Sequence, residues 1–182
     1  MPAPPFRVNV AGLRRTPGAR RREQRRGAIG DLSITSSRVP EHSDVEVDVV
    51  IEVSDGGMVA TGTVRAPWVG ECRRCLVDVG GELLVEVREV YEPRPEGYRD
   101  PGEEAAVEQE TYPLAGESLD LLPLARDAVL LNLPQVPICR PDCAGLCPSC
   151  GADRNEGGCG CVPAVANGRW AALDALRGAD TP

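Results

Sequence analysis

Six of the chain's eight cysteines fall within the 23 residues from Cys139 to Cys161, in the order C-RPD-C-AGL-C-PS-C-GADRNEGG-C-G-C. The other two, Cys72 and Cys75, stand in the segment ECRRCL. Thiolates two residues apart can turn back onto one ion, and Cys-Pro-Ser-Cys-Gly has the Pro and Gly that shape such a turn. Zinc held in a tetrahedron of sulfur is the chemistry this pattern points to.

Eight cysteines make two tetrahedral sites if every one is used. The pairs Cys147/Cys150 and Cys159/Cys161 are separated by only eight residues, which can form one short hairpin and bring both pairs to a common ion. Cys139 and Cys143 are then free to meet Cys72 and Cys75 and tie the C-terminal stretch to the rest of the chain. A competing division places one zinc on Cys139, Cys143, Cys147 and Cys150 and leaves Cys72/Cys75 and Cys159/Cys161 as spare thiols. The pattern alone leaves one or two zinc ions open.

A catalytic zinc keeps a water in one position and draws on His or carboxylate ligands. The only histidine, His42, stands in the loop-like context PEHSD, far from the cysteine block. The all-cysteine set therefore argues for a structural metal and against hydrolysis. Cys72-Arg73-Arg74-Cys75 also has the spacing of disulfide-exchange enzymes, with two cations that would lower a thiol pKa. Such an enzyme places the motif between a strand and a helix, whereas strand patterns flank it here on both sides. No Gly-rich phosphate loop, nucleophile elbow or catalytic carboxylate pair stands out, and the expectation is a protein that is not an enzyme.

The elements that must position these cysteines are built from few aromatics: one Phe, two Trp and three Tyr in 182 residues. The core must come mainly from Val, Leu and Ala. No run of about 18 apolar residues is present, and the N-terminus lacks the segments of a signal peptide, so a cytoplasmic protein that does not meet a membrane is expected. In a reducing compartment, metal ligation explains eight cysteines better than four disulfides do.

The net charge of −8 is unevenly spread. Eight Arg lie between Arg7 and Arg26 against the single acid Glu23, while residues 41–120 hold 20 acids against six Arg. Residues 1–30 thus read as a basic N-terminal arm on an acidic body. Such a block is either a solvated, disordered tail or a phosphate-contacting arm in which Arg14, Arg15, Arg20, Arg21, Arg22, Arg25 and Arg26 bind RNA.

Within a β-rich body over 31–134, Ser43–Val53 alternates with Val45, Val47, Val49, Ile51 and Val53 on one face, the period of a half-exposed strand. Asp55-Gly56-Gly57 is a hairpin turn. A second run, Met58–Trp68, ends at the breaker Pro67. After Cys72–Cys75 a third strand pattern, Val77–Tyr91, carries a bend or bulge at Gly80-Gly81. Residues 92–117 read as a long acidic loop. A helix over 120–132 follows, with Ser118 or Asp120 as cap, Pro123 in the first turn and Leu122, Ala125, Val129 and Leu130 on its apolar face. Residues 135–182 form a Cys-rich zinc module closed by a helix over Gly168–Arg177 with Asn167 as cap. The fold class is α+β: an antiparallel β-sheet or partly closed barrel, then a helix, then the zinc module with its C-terminal helix.

The ordered set VATGTVRAPWVGECRRCL, DLLPLARDAVLLNLPQVPIC, CAGLCPSCGADRNEGGCGC and RWAALDAL, with LRRTPGARRRE at the N-terminal end, resembles the bacterial YceD family in its actinobacterial form. The resemblance runs from about Gly12 to Arg177. It implies a non-enzymatic factor for accumulation of large-subunit ribosomal RNA, acting in ribosome assembly or precursor processing. Its partners would be a ribosomal RNA precursor or large-subunit assembly intermediate. A basic ribosomal protein or processing nuclease docking on an acidic face that includes Glu82, Glu86, Glu103 and Glu104 is the alternative. The chain has Asn167-Gly168-Arg169 where relatives often read Asp-Pro-Arg, and Asn167 can still cap the helix.

Overall fold

A computed structural model describes residues 5–93 and 111–161. Its strands are β1 (Arg7–Asn9), β2 (Arg20–Ala28), β3 (Ser37–Arg38), β4 (Asp44–Ser54), β5 (Gly57–Glu71), β6 (Asp78–Pro93), β7 (Tyr112–Leu114) and β8 (Ser118–Asp120). One α-helix, α1 (Leu122–Asn132), follows. The expected helix over Gly168–Arg177 lies outside the described residues.

The alternating valines of β4 direct Val45, Val47, Val49 and Ile51 to one face, where all four are buried. Asp55 and Gly56 then turn the chain in a two-residue loop, Gly56 taking φ 90°, and β5 returns in register with Ser54 opposite Gly57. β5 and β6 form the longest hairpin, paired without interruption from Met58 opposite Tyr91 to Glu71 opposite Asp78. At its tip stand Cys72 and Cys75.

The sheet order is β2-β4-β5-β6-β7, with β3 added to β5 beyond the end of β4. It is an open sheet with β2 and β7 at its margins, so the sheet alternative describes the molecule and the barrel does not. The pairing is antiparallel except between β6 and β7, which run parallel. A separate ribbon, β1 with β8, and helix α1 contribute to the same apolar core.

Three expectations are corrected along the β5–β6 hairpin and its exit. Pro67 does not break β5, because it lies between the stretch of β5 paired with β4, ending at Arg65, and the stretch paired with β3, beginning at Val69. On that side no ladder donor is required of it. Gly80-Gly81 makes no bulge. Gly81 faces Trp68, and a Cβ there would sit 3.0 Å from the indole Nε1, so the missing side chain makes room for the ring. The acidic stretch 92–117 is not loop throughout, since Glu92 and Pro93 finish β6 and Tyr112–Leu114 is β7. Tyr91 and Tyr112 stack with ring centroids 5.4 Å apart, and the Tyr112 hydroxyl donates to Asp127 of α1 at 2.7 Å.

Helix α1 begins where the Asp120 carboxylate accepts from Leu122 N–H at 2.9 Å and ends at Leu133, whose N–H reaches Val129 C=O. Its buried face is Leu124, Ala125, Ala128 and Val129, continued by the buried Leu121 just before the helix, a spacing of three and four residues. Leu122, expected on that face, is exposed. Leu122 stands at the margin of the apolar stripe, and Leu124, in phase with Ala125, Ala128 and Val129, takes the core position.

The largest departure concerns the basic segment. Arg20–Ala28 is a nine-residue strand paired along β4, not a free arm. Its outward residues meet carboxylates on β4: Arg20 with Glu52 at 2.9 Å, Arg22 with Asp48 at 2.6 Å and Arg26 with Asp44 at 2.7 Å. The Arg22 guanidinium, with the Gln24 amide, holds the Asp48 carboxyl down at about 2. On the inward side Glu23 is buried between Arg21 and Arg25, at 2.6 and 2.7 Å. Charge placed on an edge strand also discourages pairing with another chain.

Candidate metal centres

Two groups of four cysteines converge, and within each the sulfurs lie within 4.8 Å of one another. The first joins Cys72 and Cys75 with Cys139 and Cys143; the second joins Cys147, Cys150, Cys159 and Cys161. This is the two-site arrangement. The division that places Cys139, Cys143, Cys147 and Cys150 on one ion does not describe the molecule.

The body positions the first group from both sides. After α1 the chain is laid against β3 and the hairpin tip. Ser37 donates to Pro134 C=O at 2.8 Å, Ser36 to Gln135 C=O at 2.6 Å, and Arg73 N–H to Pro137 C=O at 2.9 Å. These contacts deliver Cys139 to Cys75 and Cys143 to Cys72, with sulfur–sulfur distances of 3.6 and 3.9 Å. A zinc ion about 2.3 Å from each of four sulfurs holds them about 3.8 Å apart, whereas a disulfide needs about 2.05 Å. The spacing fits four thiolates around one ion. Cys72, Cys75 and Cys143 are buried with Val79 and Leu146 packed against them, so the site takes the place of a hydrophobic core at this end.

The two C-x-x-C turns are built alike. In the first, Cys72 N–H bonds to Val77 C=O at 2.8 Å and Leu76 N–H to Cys72 C=O at 2.9 Å. In the second, Cys147 N–H bonds to Ala152 C=O at 2.8 Å and Gly151 N–H to Cys147 C=O at 2.8 Å. Each turn closes on a left-handed residue, Gly151 at φ 75° in one and Leu76 at φ 62° in the other. Leu76 is 59% exposed and gains little from burial there. Leu76→Gly is therefore expected to stabilise the metal-loaded protein by about 0.5–1 kcal/mol. A thermal midpoint that falls in the variant contradicts this account of the turn.

The electrostatics of both groups call for a cation. Burial opposes the Cys72 thiolate, but main-chain N–H groups of Cys139, Cys75 and Arg74 outweigh it and bring its pKa down to about 6. N–H groups of Ser149 and Cys150 do the same for Cys147, also to about 6. Loss of water and the neighbouring sulfurs push Cys139 up to about 12, and Cys150 and Cys159 push Cys161 up to about 11. Sulfurs this close cannot all ionise alone, and a bound divalent ion removes the conflict.

The C-terminal stretch is docked by Arg74, whose C=O accepts from Leu146 N–H at 2.9 Å and whose guanidinium donates to Cys143 C=O at 2.9 Å. Gly145, at φ 71°, lets the chains approach, since a Cβ there would lie 2.8 Å from the Arg74 carbonyl oxygen.

Residues 60–177 match the sequence family described as "Large ribosomal RNA subunit accumulation protein YceD". The chain belongs to the YceD family. The YceD match takes in β5 from Ala60 on, β6, α1 and all eight cysteines, while β1 to β4 precede it. Beyond that match, uncharacterized proteins of Mycobacterium bovis and Mycobacterium tuberculosis are each 37% identical over 150 residues, which is 82% of this chain and 70% of theirs. A protein of Mycobacterium leprae, also uncharacterized, is 35% identical over 107 residues, covering 59% of this chain and 48% of its own. No solved structure matches. Membership in the YceD family connects the chain with large-subunit ribosomal RNA accumulation.

Of the arginines assigned to RNA, Arg20, Arg21, Arg22, Arg25 and Arg26 are ion-paired within the sheet. Arg14 donates to Gly116 C=O, and Arg15 closes a single 3-10 turn, Leu13–Arg15. Among the acids assigned to partner contact, Glu82 pairs with Arg65 at 2.8 Å and Glu86 is exposed on β6. Glu103 and Glu104 lie outside the described residues. His42 sits in an exposed turn before β4. No helix among the described residues is long and apolar enough to cross a membrane.

One residue of the site is not visible in the cysteine pattern. Asn155, from the stretch between Cys150 and Cys159, donates its amide to Cys143 Sγ of the other group at 3.5 Å. A polar residue in a ligand-bearing loop is the only signal the sequence offers for it.

Proposed function

We propose that the protein is a non-enzymatic, cytoplasmic assembly factor for the large ribosomal subunit. In this reading two zinc ions fix its C-terminal module to its sheet, and it engages the assembling particle through a basic protein component. The observation that carries the reading is the neutralisation of the arginine segment. Five guanidinium groups that would neutralise phosphate are matched by Glu23, Asp44, Glu46, Asp48 and Glu52 on the same or the neighbouring strand. With net charge −8, the surface suits a basic partner better than a polyanion. Direct binding of precursor RNA is the second reading, favoured by the arginine content of residues 7–26.

The test has two arms. Cells depleted of the protein are expected to lose large-subunit relative to small-subunit ribosomal RNA, with recovery from the wild-type gene and not from Cys72→Ser/Cys75→Ser. In vitro, the purified protein is expected not to retain large-subunit precursor RNA at 0.15 M salt while retaining purified basic large-subunit proteins. Retention of RNA alone, weakening steeply with salt and lost on replacing the arginines, would decide for the second reading. Unchanged ribosomal RNA ratios on depletion would overturn both.

A further inference from the structure

The two cysteine groups touch through one side chain, and its contacts use its whole hydrogen-bonding capacity. Asn155 Nδ2 donates to Cys143 Sγ at 3.5 Å and to Asp153 Oδ1 at 2.6 Å. Its Oδ1 accepts from Ala144 N–H at 2.8 Å and from Arg140 Nη2 at 2.7 Å. Both of these donors, Ala144 and Arg140, flank Cys143 within the loop that carries the first group's C-terminal ligands. The Asn155 N–H is itself fixed on Asp153 Oδ1 at 2.8 Å.

The second group closes the loop that carries Asn155. Asn155 lies in the eight residues between Cys150 and Cys159, whose two ends are brought together where those cysteines meet. The same span contacts the first group's loop through its main chain as well, Arg154 N–H donating to Gly145 C=O at 2.9 Å and Leu146 bridging to Asp153. The second group is also the more open of the two, with Cys150 and Cys161 exposed where Cys72 and Cys143 are buried.

We propose that Asn155 is a positioning residue that makes metal binding at the two centres interdependent, the ion in the exposed second centre holding the outer-sphere hydrogen bonds of the buried first centre. This rests on the two-ion reading given above. An N–H donor to a ligating sulfur stabilises the thiolate and fixes its direction, and outer-sphere partners of this kind affect metal affinity by about 10–100-fold. Emptying the second centre releases the hairpin, withdraws Asn155 and weakens the first centre although its four ligands are intact. Linkage makes the effect reciprocal: metal at the first centre strengthens the second by the same factor.

The test is a zinc competition titration against a chromophoric chelator, on the full chain. Cys72→Ser/Cys75→Ser isolates the second centre, Cys159→Ser/Cys161→Ser isolates the first, and Asn155→Ala is made in the wild type and in both. The expected result is about tenfold or greater weakening of the first centre by Asn155→Ala when the second is intact. Loss of Cys159 and Cys161 weakens it comparably, and adding Asn155→Ala to that loss changes it by less than twofold. Asn155→Asp, which keeps size and acceptor while removing the donor to sulfur, must weaken the first centre too, and circular dichroism of the sheet serves as the folding control. First-centre affinity within twofold of wild type in Asn155→Ala, or losses that multiply fully in the combined variant, overturns the proposal. A wild type that binds fewer than two zinc ions overturns instead the reading on which it rests.

Discussion

Replacing Cys72 and Cys75 together by Ser is expected to halve the metal content, from two zinc ions to one, and to release residues 135–161 from the sheet. Two of the first centre's four ligands come from the tip of the β5–β6 hairpin and two from the stretch after α1, so neither segment can hold an ion alone. Structural zinc in small modules contributes on the order of 10 kcal/mol to their folding, more than the few main-chain bonds at Arg73 and Arg74 can replace. Limited proteolysis should cut the double variant between α1 and Cys147 while β2 to β6 stay protected, because the sheet core and the cysteine cluster share no buried residue. A variant that still carries two ions, or resists cleavage as the wild type does, would show that the centre is assembled otherwise. Chelator treatment of the wild type should reproduce the cleavage pattern and extend it past Cys147.

The second large effect is expected at Glu23. Its side chain is 10% exposed and held between Arg21 and Arg25, whose own side chains are 40% and 31% exposed. Arg21 also donates to Asn9 C=O at 2.6 Å, which ties the β1 ribbon to the edge of the sheet. Glu23→Ala leaves two guanidinium groups facing each other at the border of the core. Breaking a fully buried pair costs about 3–5 kcal/mol; water reaches both arginines here, so about 2–3 kcal/mol is expected. Urea unfolding of the metal-loaded protein measures it. Glu23→Gln, which keeps the shape, should cost about half as much, and a loss below 0.5 kcal/mol for Glu23→Ala would mean the clamp contributes nothing to stability.

The convergence of the cysteines into two groups of four was legible because the pair spacings allow each set to turn onto one point. The strands β4 to β6 were legible because one face is apolar and the other polar, which is the signal that period-two reasoning detects. β2 gave no such signal. Its inward residues Arg21, Glu23 and Arg25 are as charged as its outward ones, and a run of like charge carries the composition of a solvated segment. Only its pairing partner β4, with acids placed opposite the arginines, turns that run into a strand, and such complementarity between segments is not a local property. The helix face was misjudged for a different reason: Leu122 and Leu124 both suit a helical stripe, and only packing against the sheet decides that Leu124, at 1% exposure, lies in the core. Asn155 was hidden because its role depends on a contact between two ligand sets that local spacing does not relate.

The separation of ligands along the chain has a consequence for how the protein is made. The contacts Cys72–Cys143 and Cys75–Cys139 span 71 and 64 residues, whereas the second centre draws its four ligands from the 15 residues Cys147–Cys161. During synthesis the β5–β6 hairpin and its two thiols emerge long before their partners. They must wait, exposed to oxidation and to competing metals, until α1 has formed and Cys143 has left the ribosome. The second centre closes a short loop as soon as it appears, and the first closes a long one only after the sheet has set its distance. On the two-ion reading, metal capture at the hairpin tip is thus a late event in folding, and it reports that sheet, helix and tail have come together in one molecule.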